Sequence, residues 1–350
     1  MRQRPAAGLK AGIGRLIAGC GCLALSLGCQ PETPDAQFND YLNRLGRTLN
    51  VDVPVIGSAT LPVTPRVGQL QLDTPSSSLD TLDFLTLRGC AVQITLGKRN
   101  SSLGRMAKPS QRLLLELEYL RLAPACISHQ RGNDRKVLAN TLQQAWELKR
   151  QQLPALIFNA TLGGAEYRSF WRAAKIPSNY PVATNSQVIS ALLAINDHSR
   201  RWLAGDYKAN NRDFEILLSD VAAGDGSALL RSLARQHEWL AAANRMLDQR
   251  RARGPLCTAN IRPAAADILP NVIGKYFIAG IQPRAASLNR RYHELLPPFV
   301  ALEDILANAL PANYRAWQRA RNDQLDNMTQ APRRHVERLK VVLQPCTNTD

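Results

Sequence analysis

The sequence is short of histidine and lysine, and it has no long apolar run. Five histidines in 350 residues leave little material for metal ligation or imidazole general-base chemistry. Two segments approach the zinc-protease helix motif. His237-Glu238-Trp239-Leu240 is followed by Ala241, and His293-Glu294-Leu295-Leu296 by Pro297. Each lacks the second histidine four residues on that must share the helix face to ligate zinc. Asp197-His198-Ser199 holds the letters of a catalytic triad, but neighbours on a helix point about 100° apart and triads converge from separate segments. Leu162-Gly163-Gly164-Ala165 has no P-loop lysine and reads as a helix boundary. Glu116 and Glu118, two apart on a helix, face different ways. A carboxylate pair for glycoside hydrolysis would have to come from distant segments. We assign no catalytic, cofactor-binding or metal-binding residue, and expect no cofactor.

Nothing downstream of the N-terminal segment reaches eighteen consecutive apolar residues, so no membrane span is expected there. Alternating strand patterns are nearly absent, and there is no fixed-period repeat or low-complexity tract. The first thirty residues carry the strongest positive signal. Arg2, Arg4, Lys10 and Arg15 form a basic start without an acid, and the apolar run Leu16 to Leu27 leads into Gly28-Cys29. That order is a secretory signal peptide, its twelve-residue core too short for a bilayer, which needs roughly 20. Ser26-Leu27-Gly28-Cys29 supplies the small residue before a cysteine that lipidation requires, although Leu27 is larger and Ser26 less apolar than usual. Cys20 and Cys22 are the rival anchors, but Arg15 leaves Cys20 almost no apolar run before it. An ordinary cleaved signal or an uncleaved anchor is the plainer alternative. Gln30 after Cys29, where an Asp would favour inner-membrane retention, points to the outer membrane, with the protein facing the periplasm.

Four of the seven cysteines remain once Cys20, Cys22 and Cys29 are set aside: Cys90, Cys126, Cys257 and Cys346. An even number in an oxidising compartment reads as disulfides. Of the three connectivities we favour Cys90–Cys126, tying the ends of two successive helical segments, and Cys257–Cys346, fastening the extreme C-terminus. No C-x-x-C or close Cys/His spacing supports a metal instead.

Charge is lopsided. The formal net charge is +16, and only nine of the 44 basic residues are lysine. The signal holds four of the positive charges, so residues 29–350 carry about +12. Arginine pairs bidentately with carboxylate and phosphate. Export makes nucleic acid an unsuitable partner, which leaves lipid headgroups, lipopolysaccharide phosphates and peptidoglycan carboxylates. The plain alternative is arginines spread over solvated helix faces. Arg250-Arg251-Arg253 sits at an expected helix C-terminus, where cations favour the dipole.

The expected fold is all-α, a bundle of eight to eleven helices. Pro34-Asp35 opens a helix with Phe38, Tyr41, Leu42, Leu45 and Leu49 on one face. Residues 51–76 break the pattern. Val51, Val53, Val55 and Ile56 can form a short extended piece, and Pro54, Pro62, Pro65 and Pro75 forbid a helix. Ser78 can cap a helix carrying Leu79, Leu82, Leu85, Val92 and Leu96, with a polar loop over 100–105 and a new helix from Pro109-Ser110. Helices follow over 134–158 and 161–174, then a loop from Lys175 to Pro181. Asn185 opens the next helix, Asp225-Gly226-Ser227 separates two more, and Gly254-Pro255 is a stop. Leu288, Tyr292, Leu295, Phe299, Leu302, Leu306 and Leu310 repeat at three and four, with a kink or break expected at Pro297-Pro298. Helices at 313–329 and 332–342 close the chain. The expected organisation is a signal (1–28), an N-terminal helix and irregular linker (29–76), a helical domain (77–253) and a C-terminal helical hairpin on the same domain (254–350).

The most site-like segment is Lys98-Arg99-Asn100-Ser101-Ser102-Leu103-Gly104-Arg105. Clustered cations, small donors and a glycine near a helix start can hold an anion. Arg99, Asn100, Ser101, Ser102, Gly104 and Arg105 are the candidate residues. The bland alternative is a hydrogen-bonded turn beside the Cys90–Cys126 bridge.

Several segments together resemble a known family. They are Leu82-Asp83-Phe84-Leu85 with Arg88-Gly89-Cys90, the 98–105 segment, Pro109-Ser110-Gln111-Arg112-Leu113, Leu122-Ala123-Pro124-Ala125-Cys126, Ile281-Gln282-Pro283 and Leu295-Leu296-Pro297. The chain resembles the domain-of-unknown-function 3080 family of proteobacterial envelope lipoproteins over nearly its whole mature length. The resemblance implies export, a lipobox cysteine and paired cysteines, and carries no catalytic residues. The function expected is a non-enzymatic, lipid-anchored envelope protein that binds an envelope protein or an anionic envelope component. An envelope hydrolase acting on peptidoglycan or lipid, and a small-ligand carrier, are the alternatives.

Overall fold

The first helix forms where the sequence expects it. In the computed structural model, which describes residues 33–75, 87, 89–172, 176, 180–182, 184 and 186–347, Thr33 caps α1 (Pro34–Leu49). Its hydroxyl accepts from the Ala36 N–H at 3.3 Å, and Pro34 sits at the first helical position. Phe38, Tyr41, Leu42, Leu45 and Leu49 are all buried. After Asn50 the chain runs to residue 75 as a strap, with one helical turn, α2 (Val67–Leu70). The extended piece expected near Val51 to Ile56 joins no sheet, and there is no β-strand among the described residues. The strap's backbone groups still need partners, and side chains of the body supply them. Arg245 donates to the Val55 carbonyl, Gln324 to Thr60, Arg168 to Pro65, Asn313 to Gln69 and Gln152 to Pro75. Asn159 both donates to the Leu72 carbonyl and accepts from its N–H.

The rest is mostly helical, with 76% of the described residues in helices, as the periodicity requires. In order come α3 (Val92–Asn100), α4 (Ser102–Arg105), α5 (Pro109–Gly132), α6 (Lys136–Ala160), α7 (Ala165–Phe170), α8 (Gln187–Leu203), α9 (Asn211–Ala222), α10 (Gly226–Ala252), α11 (Ala264–Val272), a π-helical segment Ile273–Ile281, α12 (Gln282–Ile305), α13 (Ala312–Thr329) and α14 (Ala331–Thr347). The cap expected at Ser78, with Leu79, Leu82 and Leu85, lies outside the described residues, as do Asn185, the signal and Cys29. Val92 and Leu96 are buried on α3. Gly254, with φ of 106°, closes α10 in a conformation that side chains resist. No break occurs at Pro297-Pro298: α12 runs through both. The carbonyls deprived of donors belong to His293 and Glu294, both exposed, so water can take the bonds. The Pro298 carbonyl accepts from buried Asn196 of α8 at 2.8 Å, which seats the helix.

Three apolar cores result. The largest joins α5 to α10 with α12 and α13. A second packs α1, the C-terminal half of α10, α11, the π segment and α14, and a third packs α3 against α5 and α6. Helix α10, 27 residues and about 40 Å long, links the first two. Both expected disulfides are present. Cys257–Cys346 pins the last turn of α14 into the second core, while Cys90–Cys126 ties the start of α3 to the interior of α5 rather than to its end.

Two polar groups are built into these cores. Arg321 meets Glu303 with two bonds of 2.8 Å, and Trp171, Trp317 and Phe299 surround its guanidinium. His335 is buried between Tyr41 and Asn244, at 2.7 Å from each. The Asn244 oxygen can only accept, so His335 Nδ1 carries the proton and Nε2 accepts from the Tyr41 hydroxyl. Burial, with the Arg338 charge, pushes the His335 pKa down to about 3. The unfolded chain, titrating near the ordinary 6.5, therefore binds more protons between these values, and stability falls as pH drops through that window. Urea denaturation at pH 7, 6, 5 and 4 should show wild type losing up to about 1.4 kcal/mol per pH unit more than His335→Gln below pH 6.5. Parallel pH curves for the two proteins would contradict this role.

Candidate anion-binding site

Helices α3 and α5 run antiparallel. The Cys90–Cys126 disulfide holds one end of the pair. At the other, Arg99 Nε meets Glu116 Oε1 at 2.7 Å and Lys98 Nζ meets Glu118 Oε2 at 3.6 Å. The second Glu116 oxygen meets Lys149 Nζ of α6 at 2.6 Å. The side chains of Glu116 and Lys149 are 5% and 3% exposed, so this is an ion pair inside the protein. Burial lowers the Lys149 pKa, and Glu116 opposes the shift. Burial, then the Glu116 charge, raises that of the neighbouring Tyr119.

The expected polar loop contains a helical turn, α4. The Ser101 hydroxyl donates to the Lys98 carbonyl at 2.7 Å and accepts from the Gly104 N–H at 3.0 Å. This folds the turn back onto the end of α3, so tightly that a Cβ at Gly104 would overlap the carbonyl oxygens of Lys98 and Arg99. Glycine is required there by space.

Two clefts flank the turn. One, of about 360 Å³, is lined by Arg99, Asn100, Gly104 and Arg105 from the turn and by Arg112, Glu116 and Gln152 from α5 and α6. The other, of about 510 Å³, is lined by Ser101, Leu103, Gly104, Leu114, Leu115 and Tyr207, among others. The structure thus gathers Arg99, Asn100, Gly104 and Arg105 on one cleft and Ser101 on the other, while Ser102 lines neither. Among the described residues, Arg105 and Arg112 have no carboxylate partner. The single acid of the first cleft, Glu116, is already held by Arg99 and Lys149. Sequence reasoning missed Arg112, although Pro109 at a helix start marks it as a first-turn residue close to the loop. It also missed Lys149, which no local signal betrays.

The triad letters do not converge. Asp197 pairs with Arg200, and the Arg201 guanidinium donates to His198 Nδ1 at 2.6 Å while His198 stacks on Trp202. Burial, then Arg201, lowers the His198 pKa. His293 is exposed, and burial lowers the pKa of His237. No group of three or more His, Cys, Asp or Glu side chains suited to a metal occurs among the described residues. No helix among them is long and apolar enough to cross a membrane.

The sequence profile of a family described as protein of unknown function (DUF3080) matches residues 38–349. The chain belongs to the DUF3080 family. No curated protein and no solved structure matches it. Of the segments that carried the resemblance, 98–105 and 109–113 form walls of the two clefts. Residues 122–126 lie on α5, 295–297 lie on α12 and 281–283 span the junction of the π segment with α12. The 82–85 segment and Arg88 fall outside the described residues.

Removing one partner of a buried ion pair strands the others. Glu116→Gln should therefore lower unfolding free energy by roughly 3–5 kcal/mol in urea denaturation, and Gly104→Ala should also destabilise by displacing the α3 end. Wild-type midpoints for both variants would show that neither the pair nor the tight turn holds the site.

Proposed function

We propose that this chain is an exported envelope protein, anchored by acylated Cys29 to the outer membrane and facing the periplasm, which binds an anionic envelope component in the arginine cleft without catalysing a reaction. The observation that carries the binding role is the placing of Arg105 and Arg112 on one cleft with no carboxylate partner for either among the described residues. Guanidinium groups match phosphate and carboxylate with forked hydrogen bonds, and a cleft left positive favours such an ion. The two disulfides support an oxidising compartment. From Cys29 to the start of α1 at Pro34 the chain can reach about 17 Å at most, so the body would stay close to the bilayer carrying the anchor.

A hydrolase is less well supported. The buried acids Glu116 and Glu303 are each engaged by cations, which suits structural charge more than proton transfer. For a carrier that encloses its ligand between helices, the aromatic pocket beneath Thr64 and Pro65 has about 10 Å³ of space, room for one water.

Two measurements test the reading. In cells fed an alkyne fatty acid, wild type should take up label and fractionate with the outer membrane, whereas Cys29→Ser should be unlabelled. Calorimetric titration of the purified body with inorganic pyrophosphate should show saturable binding that weakens with salt, and that falls at least tenfold in Arg105→Gln/Arg112→Gln at unchanged stability. An unlabelled wild type overturns the anchor, and equal affinity in the double variant overturns the binding site.

A further inference from the structure

We infer that the ligand of this site is a phosphate-bearing amphiphile, its headgroup in the arginine cleft and its hydrocarbon chain across the turn in the neighbouring cleft. The inference rests on the anion-binding reading above and adds a chain to the ligand.

The two clefts are neighbours with a common wall: Gly104 and Leu115 line both. Gly104 lies on the turn between them, where its close approach to the end of α3 keeps the turn low. The walls differ in chemistry. The first cleft presents Arg105 and Arg112. The second presents Leu103, Leu114, Leu115 and Tyr207 beside Lys98, Glu118 and Arg121; Lys98 and Glu118 pair with each other at 3.6 Å, so one arginine is the surplus charge of that wall against two on the first. Leu103 is 85% exposed, and Met106, the residue after Arg105, is 86% exposed. A leucine held in water on one cleft, next to two arginines without a carboxylate partner among the described residues, lacks cover of one kind and counter-charge of another. A single molecule with an apolar chain and a phosphate head supplies both, whereas free phosphate would leave the apolar side wet. Each cleft falls within the range of about 300–1,000 Å³ typical of small-molecule sites.

The test compares three probes by calorimetric titration of the purified body below micellar concentration: monododecyl phosphate, inorganic phosphate and the neutral dodecyl maltoside. Monododecyl phosphate should bind at least a hundredfold more tightly than inorganic phosphate. Leu103→Asn, an exposed change that leaves the fold intact, should weaken the amphiphile at least tenfold and leave inorganic phosphate unchanged. Arg105→Gln/Arg112→Gln should weaken both phosphate ligands. Dodecyl maltoside binding as tightly as the phosphate amphiphile, or an amphiphile no tighter than inorganic phosphate, would overturn the inference. In the second case retained phosphate binding leaves the anion site standing, and loss of binding for both phosphate ligands would overturn the two together.

Discussion

Glu116 carries a charge into a place almost without solvent, and the site takes its shape from the two cations that follow it there. A carboxylate buried alone would neutralise itself or unfold its surroundings. Arg99 comes from α3 and Lys149 from α6, so three helices meet on one pair of oxygens. With the disulfide at the far end of α3, the helix is held at both ends and the turn after it has one place to go. The same pairing decides which charges stay available. Arg99 is used inside, and Arg105 and Arg112 remain at the cleft. The contrast with Arg321 and Glu303 is instructive. That pair, with Tyr314 and Gln318 on its carboxylate and Asn322 on its guanidinium, sits among aromatic rings and leaves no charge over.

The arginine excess reads differently once its partners are known. Several arginines are structural donors: Arg168 and Arg245 hold the strap, Arg253 bonds the Asn50 carbonyl, and Arg262 bonds the Cys346 carbonyl at the chain's end. The long planar head of arginine reaches carbonyls that a proline-containing strap cannot satisfy by itself, and it keeps its charge while doing so. Net charge alone therefore overstates the surface available to an anionic partner. The two unpaired arginines on the cleft say more about binding than the total does.

Helices were legible wherever apolar residues recur at three and four, as at Phe38 to Leu49 and Leu288 to Leu302, because those faces are the cores. The disulfides were legible from count and compartment. The turn at 98–105 was legible as a site because its cations and small residues lie together in sequence. The rest depends on contacts between distant residues. Glu116 and Lys149 come from different helices, and neither carries a local mark of burial. Nothing in the apolar pattern marks Ile273–Ile281 as π-helical. The continuity of α12 through two prolines depends on which carbonyls face water, and on Asn196 of α8 reaching the Pro298 carbonyl. Pattern rules treat proline as a breaker and do not see either.

Two particular arginines, among thirty-five, are poised for an anion because a buried pair has taken the only acid among the described residues that line their cleft. Side-chain NMR of arginine Nε–Hε groups during a phosphate titration addresses it most directly. Arg105 and Arg112 should shift together along one saturable curve. Arg200 and Arg333, exposed and paired with acids on their own helices, should drift weakly and without saturation. Equal, unsaturated shifts across all four would mean that the cleft selects nothing, and the account would fail.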